Sequence, residues 1–211
     1  MVQKIGTGDH MKGNELVILD RRHLVERILC SRDDLLLVTG LGAPTWDVAA
    51  LGDNLNNFYL WGGMGGAVPT ALGLALAQSK RRVLVLTGDG EMLMGIGSLA
   101  TVAVQKPKNL VIGVIDNQRY GETGMQRSAT AFGVDIASIA RGAGFETATN
   151  VTTYGELDSV IPQIYNSQGP LLFNFKVTVS DHPMILPEKD GLELKHRFRA
   201  HILNAKKKIG G

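Results

Sequence analysis

The sequence predicts a doubly wound α/β domain, with a mainly parallel sheet of about six strands and helices on both faces. Short aliphatic and β-branched runs recur along the chain, and segments with helical spacing of apolar residues separate most of them. Runs of this kind are typical of strands buried on both faces of a parallel sheet. Two of the runs, 83–87 and 110–115, end directly in polar motifs that contain glycine.

The predicted elements alternate along the chain. Strands are expected near 35–39, 58–61, 83–87, 110–115, 145–149 and 171–177. Helices are expected at 68–77, 91–105, 135–143, 154–166 and 192–208. The expected organisation is a polar leader at 1–19, the domain at 20–180 and a C-terminal tail at 181–211. The tail has two interpretations, a lid carrying His182 with an amphipathic helix that packs on a partner, or a solvated terminus.

Composition and charge exclude several classes of function. The net charge of +2 in 211 residues is too small to indicate nucleic-acid binding. The one cysteine, Cys30, excludes a disulfide framework or a four-cysteine iron–sulfur site within this chain, and a reducing cytoplasm is expected. No apolar stretch approaches the roughly 20 residues of a membrane span.

Two polar motifs follow neighbouring strands of the predicted sheet. Gly88, Asp89 and Gly90 close the 83–87 run, and Asn117 follows the 110–115 run. A right-handed strand–helix–strand crossover brings both motifs to the same carboxyl edge, where ligands of such sheets bind. Glycines allow a phosphate to approach the backbone, and carboxylate and amide oxygens suit Mg²⁺. The pattern therefore predicts a cradle for a metal and a diphosphate, whereas a tight turn next to an unrelated Asx turn is the alternative.

The same residues resemble the thiamine diphosphate enzymes, whose signature is a GDG, a spacer and a pair of asparagines. Here 25 residues, 91–115, separate Gly90 from Asp116, which replaces the first asparagine. The resemblance implies Mg²⁺ held by the side chains of Asp89 and Asn117 and by the backbone carbonyl of Arg119. It also implies contacts to thiamine diphosphate from the following residues: Gly88, Gly90, Glu91, Tyr120 and Gly121.

Two further segments carry implied cofactor contacts. In the segment from Trp61 to Ala67, the resemblance implies that Gly62, Gly63 and Met64 bind the aminopyrimidine ring and that Met64 bends the cofactor. The alternative is that Met64 is a core residue and the glycines only allow close packing. Thr39 and Gly40 end a predicted strand where the family has further diphosphate contacts, although an ordinary strand exit would look the same.

A partner subunit is implied by what the chain lacks. Enzymes of this family activate the cofactor with a glutamate from a separate pyrimidine-binding domain. A domain of this size that already forms the diphosphate-binding half has no room for a second one. The expectation is therefore an incomplete enzyme that shares its active site with a pyrimidine-domain α subunit, in an α2β2 or larger assembly.

Within the family, the chain resembles the β subunit of sulfopyruvate decarboxylase and the matching half of phosphonopyruvate decarboxylase, from about Leu24 to Val179. The likeness is strongest in 57–65, 97–101 and 116–124. The implied reaction removes carbon dioxide from a small 2-oxo acid and releases an aldehyde. Met64 and Glu122 are the residues expected to lie at the reacting centre.

Two departures affect the expected substrate. Glu122 stands where those decarboxylases carry a small hydroxyl residue, and its charge would repel a sulfonate or phosphonate. Arg119 stands where the metal-binding loop is usually small. Arg119 or Arg127 would attract such a group, unless all three side chains point to solvent. Other functions considered are an acetolactate-synthase-like carboligase half, a ferredoxin-linked oxidoreductase half, which the single cysteine disfavours, and a non-catalytic regulatory chain that binds the cofactor.

Overall fold

The computed structural model describes residues 18–209 and contains one six-stranded parallel sheet. Its strands in spatial order are β2, β1, β3, β4, β8 and β7. In chain order they are β1 Leu36–Thr39, β2 Asn57–Tyr59, β3 Val83–Gly88, β4 Leu110–Asp116, β7 Thr147–Val151 and β8 Leu171–Lys176. A separate antiparallel hairpin is formed by β5 Arg119–Tyr120 and β6 Gln126–Arg127.

Helices cover both faces of the sheet. They are α1 Arg21–Leu29, α2 Ala43–Ala49, α3 Ala67–Ala77, α4 Asp89–Met94, α5 Ser98–Gln105, α6 Ile136–Ala143, α7 Tyr154–Asn166 and α8 Gly191–Ile209, with a 3-10 turn at Ala129–Phe132. One apolar cluster joins α3, α5, α6 and α8 to one face of the sheet, and a second joins α1 and α7 to the other. Within residues 18–209, no helix combines the length and apolar character that a bilayer crossing requires.

The two central strands bring the predicted motifs together. Every residue of β4 is buried, as its run of aliphatic residues requires. Gly113 lies where β3 and β4 pack tightly, since a Cβ there would approach Leu86 Cδ2 to 2.7 Å. The parallel register pairs Gly88 with Ile115, so the residues that follow both strands leave the sheet at the same edge.

The predicted fold class is confirmed, and all six strands form close to their expected positions. The prediction of one helix over 91–105 is wrong, because α4 ends at Met94 and α5 begins at Ser98. The interruption lies where two backbones touch. A Cβ on Gly95 would lie 2.3 Å from the carbonyl oxygen of Gly65. A side chain there would therefore clash with the loop before α3.

The C-terminal part of the chain packs onto the domain. Leu194, Phe198 and Ile202 of α8 are buried, and the Phe198 ring lies 5.3 Å from that of Phe58. Between β8 and α8 the chain is held by His182, whose Nε2 lies 2.7 Å from Asp20 Oδ2. Nearly all of the expected leader, residues 1–17, falls outside the described residues.

Candidate functional site

A cleft opens at the carboxyl edge of the sheet, between β3, β4, the loop after β1 and the β5–β6 hairpin. Ten of the predicted site residues line it: Met64, Gly88, Asp89, Gly90, Glu91, Asn117, Arg119, Tyr120, Gly121 and Glu122. The crossover from β3 through α4 and α5 to β4 therefore places the two motifs in one cavity, as the topology of such sheets dictates.

Asp89 is a buried carboxylate of the cleft, with 1% of its surface exposed. Its Oδ2 accepts hydrogen bonds from the hydroxyls of Ser128 and Thr130, the latter at 3.1 Å. Burial raises the pKa of Asp89 to about 6, and the nearby charge of Asp116 contributes in the same direction. Without a cation beside it, this carboxyl group is therefore partly protonated near pH 6.

Asp116, unlike Asp89, does not line the cleft. The Thr130 hydroxyl, which has one proton to donate, lies 2.8 Å from Asp116 Oδ1 as well as 3.1 Å from Asp89 Oδ2. Asp116 Oδ2 accepts from Asn174 at 3.2 Å and from the ammonium group of Lys176. Lys176 thus supplies the charge that a buried carboxylate needs. Thr130 contacts both carboxylates and joins the two motifs.

The loop after β4 is shaped by Asn117. Its Oδ1 accepts a hydrogen bond at 2.9 Å from the backbone N–H of Arg119, and Gln118 between them has a φ of +61°. This Asx turn directs the chain into the hairpin that carries Tyr120. The Tyr120 ring lies directly on Gly90, where a Cβ would come within 2.3 Å of Cε1. Only glycine fits at position 90.

Glu91 is buried beside the loop that follows β1. Its Oε2 accepts a hydrogen bond at 3.0 Å from the backbone N–H of Leu41, and Oε1 has no partner among residues 18–209. Burial raises the pKa of Glu91, and the bond from Leu41 opposes this effect. The Glu91 side chain therefore fixes the β1–α2 loop, a role separate from the diphosphate contact expected of its backbone.

Four predicted cofactor residues are not among the residues that line the cleft: Thr39, Gly40, Gly62 and Gly63. The Thr39 hydroxyl lies 2.6 Å from that of Thr45, within the loop after β1. Gly40 is needed for packing, because its missing side chain leaves room for the Glu91 carboxylate. Their expected contacts with the cofactor stay predictions.

Glu122 and Arg127 occupy different surroundings although both belong to the hairpin region. Glu122 lines the cleft, and its carboxyl group lies 3.2 Å from the position of a Cβ on Gly42. Partial burial raises the pKa of Glu122. Arg127 lies outside the cleft, stacks at 4.3 Å over the Phe132 ring and donates to the Ala131 carbonyl.

Several residues of the site were not predicted from the sequence. Arg21 and Trp46 line the cleft, and Ser128 and Thr130 hold Asp89. None of these residues belongs to a motif, and α1, which carries Arg21, was not predicted. The alternation of hydroxyls in Ser128-Ala129-Thr130, shortly after the Asn117 motif, is the one local signal.

Comparison with known proteins identifies the family. The model for "Thiamine pyrophosphate enzyme, C-terminal TPP binding domain" matches residues 41–175, which begin just after β1 and contain β2 to β7 and all of β8 except Lys176. The chain belongs to the thiamine pyrophosphate enzymes. This match confirms the resemblance seen in the sequence and includes both cleft motifs.

Two curated relatives are decarboxylases. The chain is 34% identical over 189 residues to sulfopyruvate decarboxylase subunit beta of Methanothermobacter thermautotrophicus, covering 90% of this chain and 98% of the relative. It is 32% identical to phosphonopyruvate decarboxylase of Streptomyces viridochromogenes, of which it spans 45%. Among solved structures, benzoylformate decarboxylase from Polynucleobacter necessarius superposes with a TM-score of 0.67 at 21% identity, over 82% of this chain and 36% of that one. That last likeness is one of fold.

The donor set of this thiamine pyrophosphate domain fits a magnesium diphosphate. Asp89 has one carboxylate oxygen, Oδ1, without a side-chain donor among residues 18–209, and the Asn117 oxygen keeps a second lone pair beside its bond to Arg119. Both are hard oxygen ligands of the kind that Mg²⁺ takes together with phosphate oxygens. Among the described residues, no three His, Cys, Asp or Glu side chains form a cluster for a metal ion. Metal binding here would therefore depend on the Asp89 and Asn117 pair.

Proposed function

We propose that this chain is one subunit of a thiamine diphosphate- and Mg²⁺-dependent decarboxylase, which converts a small 2-oxo acid to an aldehyde and carbon dioxide. The observation that carries the proposal is the meeting of Asp89 and Asn117 with Gly88 and Gly90 in one cleft. The names of the relatives, which are decarboxylases of sulfopyruvate and phosphonopyruvate, support an acidic 2-oxo acid as the substrate class.

Each residue of the cleft has a proposed task. Asp89, Asn117 and the Arg119 carbonyl hold Mg²⁺, while the backbone N–H groups of Gly90 and Glu91, at the start of α4, bind the diphosphate. Contacts from Thr39, Gly40, Gly62, Gly63, Tyr120 and Gly121 complete the proposed cofactor site. Thiamine diphosphate, when bound, supplies the carbon nucleophile and electron sink that decarboxylation of a 2-oxo acid requires.

Met64 and Glu122 are the proposed catalytic residues. Met64 is 36% exposed and lines the cleft from the loop before α3, where it would hold the reactive end of the cofactor in place. Glu122 lines the same cleft from the hairpin, and partial burial raises its pKa. A carboxyl group in that state carries a proton to higher pH than an ordinary glutamate and is therefore suited to transfer one.

The partner proposed for the chain is a pyrimidine-domain α subunit, in an α2β2 or larger assembly. Two glutamates line the cleft, Glu91 and Glu122. Glu91 is tied to Leu41 beside the metal motif, and Glu122 lies on the hairpin against Gly42. Both glutamates belong to this domain and have contacts within it. The glutamate that activates the cofactor comes from a second domain in this family, so we assign it to the partner. A cytoplasmic location stays a prediction from the single cysteine.

Calorimetric titration of thiamine diphosphate with Mg²⁺ tests the proposal. The chain would be titrated alone and together with a pyrimidine-domain partner, with Asp89→Ala as the test variant and Asp181→Ala, an exposed acid outside the cleft, as the matched control. Tight binding in the complex that Asp89→Ala abolishes and Asp181→Ala keeps is expected. A folded complex that does not bind the cofactor would refute the proposal.

Product analysis distinguishes decarboxylation from carboligation. The reconstituted complex is expected to release an aldehyde from sulfopyruvate or phosphonopyruvate faster than from pyruvate. Accumulation of a longer acyloin-type product from two substrate molecules would favour the carboligase instead. Equal rates with all three acids would contradict a preference for a substrate with a second acidic group.

A further inference from the structure

A buried arginine that belongs to neither sequence motif lines the cleft. Arg21 is the first residue of α1, and 4% of its surface is exposed, yet it is one of the residues that line the cavity. Its position follows from the N-cap of the helix, since Asp20 accepts hydrogen bonds from the backbone N–H groups of Arg22 and His23. The first turn of α1 is thereby fixed at the edge of the sheet.

The charges around Arg21 do not balance. Its Nη1 lies 2.5 Å from both carboxylate oxygens of Asp47, which is fully buried in α2. Nε of Arg22 also donates to Asp47, at 3.0 Å. One carboxylate therefore serves two guanidinium groups, and this cluster keeps one positive charge.

Part of the Arg21 guanidinium is left for another ligand. Within residues 18–209, its Nε and Nη2 donate no hydrogen bond, although a guanidinium offers five N–H donors. Neither atom is among the fully buried polar atoms that lack a partner, so both are open to a ligand in the cleft. An anion entering the cleft would meet these donors together with the excess positive charge.

The carboxyl groups of the cleft have other partners or a weakened charge. Asp89 accepts from Ser128 and Thr130, and Glu91 accepts from Leu41. Glu122 is on the hairpin, against Gly42. Arg119, the other cation lining the cavity, lies on the hairpin and is half-buried. None of these carboxylates forms an ion pair with Arg21, whose one acidic partner among the described residues is Asp47.

We propose that Arg21 binds an oxyanionic group inside the cleft through its unused N–H donors, as a planar guanidinium binds a sulfonate, phosphonate, carboxylate or phosphate. The source of the oxyanion is either the second acidic group of the substrate or the diphosphate of the cofactor. The existence of this anion site follows from Arg21, Arg22 and Asp47, and only the identity of its ligand rests on the proposed function.

Three probes distinguish the two sources. 3-Sulfopropionate carries both acidic groups of a sulfonated 2-oxo acid but has no keto group, propionate lacks the sulfonate, and inorganic pyrophosphate with Mg²⁺ represents the diphosphate. Calorimetry would measure the binding of each probe to the full chain, alone and with the partner subunit. No cofactor or turnover is needed, so this result is independent of whether the decarboxylase proposal holds.

Arg21→Gln is the test variant and Arg22→Gln the matched control. Both remove one of the two cations on Asp47 and leave the other, but Arg22 does not line the cleft. Arg21→Gln is expected to weaken one anionic probe about tenfold or more, the usual effect of losing a charge-assisted hydrogen bond. Arg22→Gln lowers the local charge by the same amount but leaves the Arg21 donors in place, so it should weaken that probe clearly less, by about threefold or under. Loss of 3-sulfopropionate binding assigns the substrate, and loss of pyrophosphate binding assigns the cofactor.

Two results would overturn the proposal. One is binding of every anionic probe with equal affinity by wild type and Arg21→Gln, and the other is the absence of anion binding by a folded wild-type complex. Arg21→Lys guards against misfolding, because it keeps the charge on Asp47 and loses the fork of donors. An intermediate loss of affinity in Arg21→Lys is expected, with thermal unfolding unchanged from wild type.

Discussion

The Glu91 carboxylate occupies the space that a side chain at position 40 would need, with Oε2 only 1.7 Å from the position of a Cβ on Gly40. Gly40 directly follows β1 and Glu91 lies in α4, so this contact joins the loop after β1 to the helix after β3. The bond from the Leu41 N–H to the same oxygen closes the interaction. Glycine at 40 and glutamate at 91 therefore depend on each other.

Gly40→Ala is expected to lower the free energy of unfolding by about 2 kcal/mol, since the added methyl group displaces the buried Glu91 carboxylate. Urea denaturation measures the change. Gly73→Ala is the control, because a Cβ at that helical, exposed position meets nothing within 4 Å and should stabilise the chain by about 0.5–1 kcal/mol. In the Glu91→Ala background, Gly40→Ala should lower the free energy of unfolding by less than it does in wild type. Equal losses in both backgrounds would show that residues 40 and 91 do not depend on each other.

A second prediction concerns Asp116 and Lys176. Lys176→Met leaves the buried Asp116 carboxylate without its cation and is expected to destabilise the fold by about 3 kcal/mol. Adding Asp116→Asn removes the unpaired charge and introduces the family's usual asparagine, so the double variant should regain more than half of the lost stability. Lys108→Met, at an exposed lysine, is the control. Additive effects of the two substitutions would show that the pair is not coupled.

The pH dependence of stability provides a third prediction. Because the pKa of Asp89 is about 6 in the fold against 3.8 as its ordinary value, the folded chain binds more protons than the unfolded chain between these pH values. Without metal, wild type should lose about 3 kcal/mol relative to Asp89→Asn as the pH rises from about 4 to 7. Urea denaturation with a chelator present measures this loss.

Mg²⁺ provides the matching control for that experiment. Above pH 6 the ionised Asp89 is available as a ligand, so added Mg²⁺ with pyrophosphate should restore stability to wild type and leave Asp89→Asn nearly unchanged. Parallel stability curves for the two proteins in the absence of metal would contradict the raised pKa.

The sequence predicts those parts of the site that depend on local pattern. The runs that became β3 and β4 are continuous and aliphatic, and their adjacency in a crossover brings Asp89 and Asn117 together. The interruption between α4 and α5 could not be predicted from the helical spacing, because it depends on the approach of Gly65 to Gly95. Such a contact arises only when the fold is complete.

Contacts between residues that are far apart in the sequence could not be predicted either. In the sequence, Asp116 is a departure from the family pattern. The cation that pairs with its carboxylate, Lys176, lies at the end of β8. Arg21 is separated by the whole of β1 and α2 from the motifs that it accompanies in the cleft. Neither residue has a motif around it, so chemistry of this kind is visible only when side chains are placed in space.

Glu122 provides the last prediction, which concerns substrate choice. Burial raises the pKa of Glu122, so the carboxyl group is neutral up to a higher pH than usual and repels an acidic substrate only above that pKa. In the reconstituted complex, the ratio of kcat/KM for sulfopyruvate to that for pyruvate should therefore rise as the pH falls through the pKa of Glu122. Glu122→Gln keeps the size of the side chain and removes the charge, so its ratio should stay at the high value at every pH. Glu146→Gln, an exposed glutamate outside the cleft, should behave as wild type. If wild type and Glu122→Gln show the same pH dependence of this ratio, the Glu122 carboxylate does not face the substrate.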